Sequence, residues 1–212
     1  MNGWRRRDFI AAALAGGYGA AAQAQAGVRT VLVVGDSLSA EYGLKRGSGW
    51  VALLEQRLAR EKIAARVVNA SISGDTTSGG RSRLPALLAR EKPAVVVIEL
   101  GGNDALRGLP LSMTEDNLTA MTRTAQAAGA RVLLVGMQVP PNYGAAYSRD
   151  FAAVFAKVAA AHKAAVVPFL LKGVADGADP LRLFQPDRIH PREEAHPLML
   201  DNVWPELRKL LR

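Results

Sequence analysis

The 212-residue chain has no cysteine, which removes thiol nucleophiles, disulfides and thiolate-bound metals and leaves the cellular compartment open. Histidine is scarce: His162, His190 and His196 are the three sites where an imidazole base could reside. No stretch of about 20 strongly apolar residues occurs, so no stable membrane span is expected. Aromatics make up 6% of the chain, and Lys and Arg are scattered between acids without a dense basic run. The formal charge of +8 therefore reads as a solvated basic surface, and no nucleic-acid partner is expected. A G-x-S-x-G elbow is missing, which argues against the α/β-hydrolase fold. Gly101-Gly102-Asn103 is not followed by Gly-Lys-Ser/Thr, which argues against a phosphate-binding P-loop.

What is present begins with an address. Arg5-Arg6-Arg7-Asp8-Phe9-Ile10, an Ala/Gly-rich stretch from Ala11 to Ala22, and Ala24-Gln25-Ala26 together match a twin-arginine type export signal. Residues 1–26 are expected to be a signal peptide cleaved before Gly27, placing the mature protein in a bacterial periplasm or outside the cell. Cleavage removes three Arg and one Asp and lowers the formal charge from +8 to +6. Residues 27–212 suffice for one domain with its own core.

Along that domain, short runs rich in Val, Ile and Leu alternate with longer helical patterns. Thr30–Val34, Arg66–Asn69, Val95–Leu100, Val132–Val135 and Val166–Phe169 read as strands buried on both faces. Trp50–Glu61, Arg81–Arg90, Thr114–Ala127 and Arg149–Ala164 carry apolar residues near i, i+3 and i+4, and a last helix is expected over 194–211, open to interruption at Pro197 and Pro205. The alternation predicts an α/β fold: one doubly wound, flavodoxin-like domain with a five-stranded parallel sheet between helices. In such a fold ligands bind beyond the carboxyl ends of the strands. Three polar, Gly-rich segments follow the first three strands there: Gly35-Asp36-Ser37, Ser71-Ile72-Ser73-Gly74-Asp75 and Gly101-Gly102-Asn103-Asp104.

These segments carry the ingredients of serine hydrolysis. A free Ser hydroxyl does not ionise at neutral pH, so it needs a base and a group that orients the base. Ser37, on a turn leaving the first strand, is the candidate nucleophile. His190 in Asp187-Arg188-Ile189-His190-Pro191 is the candidate base, since imidazole ordinarily titrates near pH 6.5. Asp187, three residues earlier, is the candidate orienting acid. Asp36 and Asp104 are read as structural, Asp75-Thr76-Thr77-Ser78 as a helix cap, and His162 and His196 as surface or helix-end residues.

The same segments resemble the SGNH, or GDSL, hydrolase superfamily: Ser37 in Gly-Asp-Ser, Gly74, Asn103 in Gly-x-Asn-Asp, and His190 in Asp-x-x-His, in family order over essentially the whole mature chain. Gly35–Ala40, Asn69–Thr76, Glu99–Asp104, Arg83–Leu88 and Pro140–Gly144 further resemble its exported bacterial branch of acyl-CoA thioesterases, lysophospholipases and arylesterases. The resemblance implies an oxyanion hole formed by the backbone N–H groups of Ser37 and Gly74 and the Asn103 amide. It implies an acyl-serine intermediate and no metal or organic cofactor. In related thioesterases the loop matching Ala105–Pro110 moves on acyl binding, so Leu106, Leu109 and Pro110 are candidate substrate contacts, with ordinary loop packing as the plainer use. Tyr143 is a fourth candidate, lining an acyl groove or shaping a connection. Two departures stand out: Glu41, where the branch often has a small residue, and Arg188, where Gly is usual; each is expected to add charge near the mouth.

The function expected is hydrolysis of small-molecule acyl esters, thioesters or lysophospholipids. A carbohydrate O-acetylesterase and a non-catalytic acyl-binding protein are the alternatives.

Overall fold

A continuous apolar run can be a strand only if helices cover both of its faces, and the central strands meet that condition. The structure is a computed structural model that describes residues 28–212; the export signal expected at 1–26 lies outside them. Five strands, β1 (Arg29–Gly35), β2 (Ala65–Asn69), β3 (Val95–Glu99), β4 (Arg131–Val135) and β5 (Ala165–Val167), form one sheet in the order β2-β1-β3-β4-β5. Every pairing is parallel, with Val31 opposite both Val67 of β2 and Val95 of β3. The α/β, doubly wound architecture expected from the sequence is therefore the one observed.

Among the described residues six α-helices accompany the sheet: α1 (Trp50–Arg60), α2 (Thr77–Glu91), α3 (Gly102–Leu106), α4 (Leu111–Ala127), α5 (Ala145–His162) and α6 (His196–Leu210). Helix α1 packs on α6, while α2, α4 and α5 pack side by side in succession. Val31–Val34 and Val95–Ile98 are completely buried, as are Trp50, Leu54, Phe151 and Met121 that press on them from the helices. Among the described residues no helix is long and apolar enough to cross a membrane.

Four differences from the sequence reading have local causes. Strands β2 and β5 are only partly buried, because each is an edge of the sheet and lacks a neighbour on one side. Helix α2 starts at Thr77, before its apolar periodicity begins, since the Thr76 hydroxyl caps it by accepting from the Gly79 N–H. Its first turn is Thr-Ser-Gly-Gly, and Gly80 is required for close packing: a Cβ there would stand 2.2 Å from Leu100 Cδ1. The segment after β3, which reads as a polar turn in the sequence, is the single-turn helix α3, closed by the Ala105 N–H on the Gly101 carbonyl and the Arg107 N–H on the Asn103 carbonyl. Neither proline breaks α6: Pro197 lies in its first turn, where no N–H is needed, and Pro205 is carried within it.

The order 2-1-3-4-5 reverses direction between β1 and β3, and in doubly wound folds ligands bind beyond the carboxyl ends of the strands at such a switch point. Ser37 follows β1 by two residues and Asn103 follows β3 by four.

Candidate active site

The turn after β1 folds on its own aspartate. Asp36 Oδ1 accepts from the Leu38 N–H at 3.0 Å, and the Ser39 and Ala40 N–H groups return to the Asp36 carbonyl. This leaves Ser37 half-buried at the sheet edge. The Asp187–His190 turn comes from the far end of the chain and is closed by the bonds Arg188 N–H to Gln185 O and Gln185 N–H to His190 O. Gln185 also ties it to the Ser37 loop, its Nε2 donating to the Tyr42 and Pro191 carbonyls at 3.0 Å each.

These two turns meet. His190 Nε2 lies 2.9 Å from Ser37 Oγ, and His190 Nδ1 lies 2.7 Å from Asp187 Oδ2. Asp187 also accepts from the Ile189 and His190 N–H groups through Oδ1. Partial burial pushes the Asp187 carboxyl up, but those N–H bonds and the imidazole outweigh it and hold it at about 2. An ionised carboxylate can only accept, so Nδ1 carries the imidazole proton and the Nε2 lone pair faces the Ser37 hydroxyl. The Tyr42 ring lies against the imidazole, with centroids 4.3 Å apart and planes 36° from parallel.

The other two turns supply donors. Gly74 has φ +78°, a conformation open to glycine and strained for other residues. Among the described residues, neither the Ser37 nor the Gly74 backbone N–H has a protein acceptor. The Asn103 amide is already engaged: Nδ2 donates to Asp36 Oδ2 at 3.0 Å and to the Asp75 carbonyl at 2.9 Å. Asp104, wholly buried, accepts from the Thr77 N–H at 2.9 Å and from the Thr77 hydroxyl, joining α3 to the start of α2.

Of the substrate contacts suggested by sequence, Leu106 ends α3 half-exposed, Leu109 and the exposed Pro110 complete the connection to α4, and all follow directly on Asn103. Tyr143 lies in the β4–α5 connection and stacks on Tyr147 at 6.1 Å; no described bond or ring contact joins it to Ser37 or His190. A hollow of about 350 Å³ lined by Arg57, Glu61, Trp204 and Arg208 contains no nucleophile, and Arg57 there is bound by Glu61 and Asp201. No three His, Asp or Glu side chains converge as metal ligands among the described residues.

The profile of the GDSL-like Lipase/Acylhydrolase family matches residues 33–198, from within β1 to the start of α6. The chain belongs to this family. It is 56% identical over 187 residues to Esterase TesA of Pseudomonas aeruginosa, covering 88% of this chain and 92% of that one. It is 40% identical over 182 residues to Thioesterase 1/protease 1/lysophospholipase L1 of Escherichia coli, covering 86% and 85%. Among solved structures it is similar to the psychrotrophic esterase EstA from Pseudoalteromonas sp., inhibited by monoethylphosphonate. That match has a TM-score of 0.80 at 40% identity, over 86% of this chain and 98% of that one.

The two departures from the GDSL-like pattern now have local explanations. Glu41 does not present a free charge: its carboxylate accepts from the Gly47 and Gly49 N–H groups and fastens the loop before α1. Arg188 has φ +59°, which accounts for glycine being usual at that position, and its side chain is exposed. His196 is a helix-end residue as expected but not a surface one; it is buried, and its Nδ1 accepts from the Trp50 N–H at 3.0 Å.

Sequence reasoning missed Glu99. It is buried at the end of β3, where Oε2 accepts from the Ser39 hydroxyl at 2.6 Å, and Ser39 in turn accepts from the Trp50 indole N–H at 3.2 Å. Burial pushes the Glu99 carboxyl well above its ordinary range, and the nearby Asp36 adds to the shift. The folded protein thus keeps a proton that the unfolded chain releases near pH 4–5, so stability falls as pH rises beyond that window. Glu99→Gln retains the acceptor for Ser39 and removes this proton uptake. Its melting temperature is expected to match or exceed wild type at pH 8 and to vary less between pH 5 and 8. A circular-dichroism melt at each pH checks this, and a steeper fall in the variant would contradict it.

Proposed function

We propose that this chain is an exported serine esterase and thioesterase that cleaves acyl esters, thioesters and lysophospholipids through an acyl-serine intermediate. The observation that carries the reading is the Ser37–His190–Asp187 relay opening beside two unengaged N–H groups.

The reaction follows from that geometry. His190 Nε2 takes the Ser37 proton as Oγ attacks the acyl carbon, and Asp187 steadies the imidazolium through Nδ1–H. The carbonyl oxygen gains negative charge as the tetrahedral intermediate forms. The Ser37 and Gly74 N–H groups receive it, and the Asn103 amide joins them by sharing one of its N–H bonds. His190 then protonates the leaving alcohol or thiol. In the second half it activates water against the acyl-enzyme, which releases the acid and restores Ser37. Leu106, Leu109, Pro110 and Tyr143 are proposed to contact the acyl chain. The names of the similar Pseudomonas and Escherichia proteins support an esterase, thioesterase and lysophospholipase range. Residues 1–26 are proposed to direct the protein to the periplasm or beyond.

The test is a panel of p-nitrophenyl esters from acetate to palmitate, with a medium-chain acyl thioester and a lysophosphatidylcholine alongside. Turnover is expected to peak at medium or long chains and to extend to both lipid substrates. Activity confined to acetate, with acetylated sugars preferred, would replace this reading by a carbohydrate deacetylase. Inert folded protein that still bound fatty acid would point to an acyl carrier.

A further inference from the structure

The Gly74 N–H belongs to the Ser73–Gly74 peptide, the central peptide of a turn closed by the Asp75 N–H on the Ile72 carbonyl at 3.0 Å. A central turn peptide can rotate as a unit, through compensating changes at the residues on either side, and reverse the face to which its N–H points. Among the described residues nothing donates to the Ser73 carbonyl, so this peptide is not held directly. Restraint has to come from the peptides that follow. Helix α3 supplies it. Arg107, which caps α3, donates through Nη2 to the Gly74 carbonyl at 2.7 Å, and Asn103, one turn earlier, donates to the Asp75 carbonyl at 2.9 Å. Residues four apart lie on one face of a helix, so both clamps act from the same side.

Arg107 is exposed and forms no ion pair among the described residues; its backbone N–H closes α3 on the Asn103 carbonyl, and the Gly74 carbonyl is the one described hydrogen-bond partner of its guanidinium. The heavy atom nearest to where a Gly74 Cβ would stand is also Arg107 Nη2, at 3.8 Å. A charged donor at 2.7 Å makes a stronger bond than a neutral one. We propose that Arg107 is a positioning residue for the oxyanion hole: by gripping the Gly74 carbonyl it holds the Gly74 N–H in its donating orientation while the tetrahedral intermediate forms. This rests on the oxyanion-hole assignment made above for Gly74 and Asn103.

The test uses p-nitrophenyl butyrate, whose lack of charge removes any direct attraction between substrate and guanidinium. Arg107→Met is expected to lower kcat about 10- to 100-fold, somewhat less than loss of a donor itself, with KM within about twofold. Affinity for an alkyl boronic acid, which becomes tetrahedral on the nucleophile, should fall by the same factor. Arg107→Lys, which can still reach the carbonyl, should recover most of both losses and keeps the test decisive if the Met variant fails to fold. An unchanged kcat, a rise in KM alone, or a kcat loss without the matching boronate loss would overturn the proposal. Asn103→Ala in the same assay separates the two levels. If it loses turnover while Arg107→Met does not, only the role of Arg107 is wrong; if neither loses turnover, the assignment of Asn103 to the oxyanion hole fails as well.

Discussion

Ser37→Ala is expected to lower ester turnover by about 10⁴-fold or more while leaving the melting temperature within about 2 °C of wild type. The size follows from how the three side chains work together. Without Oγ there is no acyl-enzyme, and His190 and Asp187 have nothing to activate except water at a distance. What survives is the weak acceleration that bound donors give to direct hydrolysis. The small stability cost follows from the surroundings of Ser37. Its hydroxyl has one described partner, His190 Nε2, and the imidazole side chain remains 16% exposed, so water can satisfy the abandoned nitrogen. Fatty-acid binding should persist, because no candidate acyl contact is touched. Steady-state kinetics with a calorimetric melt check both halves. Substantial turnover in the variant would mean that Ser37 is not the nucleophile.

The strands were legible because their burial is written in local composition. Val31–Val34 and Val95–Ile98 are continuous apolar runs, and only a sheet covered on both faces accommodates them. Composition cannot say which strand lies at an edge, so the exposure of β2 and β5 had to come from the strand order. Helix α2 began earlier than its periodicity because the Thr76 cap and close packing at Gly80 are tertiary facts. In the candidate site, the meeting of Ser37, Asp187 and His190 was readable because the proposed chemistry dictates their residue types and turn neighbours dictate their spacing. Tyr42, Gln185, Glu99 and Arg107 were not. Each acts through a contact across the fold: a ring on His190, an amide to the Tyr42 carbonyl, a carboxyl under Ser39, a guanidinium on Gly74. A tyrosine or an arginine in a polar loop carries no sign of such a contact in its immediate sequence.

Asn103→Ala is expected to lower kcat about 10²- to 10³-fold with little change in KM, since the lost donor acts on charge that develops in the transition state. The same side chain has a second job in the resting protein, where its Nδ2 joins Asp36 Oδ2 to the Asp75 carbonyl. Burial pushes the Asp36 carboxyl above its ordinary range, with the Leu38 N–H, His190 in its protonated form and the Asn103 amide acting against it. Removing Asn103 takes one of those opposing groups away and raises the folded-state pKa further. For an acid whose folded pKa lies above its unfolded one, the folded state binds the extra proton, so stability declines as pH rises through the interval between them. The variant's melting temperature should therefore approach wild type near pH 4 and fall increasingly below it toward pH 8, while its deficit in kcat persists wherever the enzyme is folded. The two effects are separable by melting curves and by initial rates on p-nitrophenyl butyrate across that range. A kcat within about tenfold of wild type would leave the oxyanion to the Ser37 and Gly74 N–H groups alone and reduce Asn103 to a brace between the β1 and β2 loops.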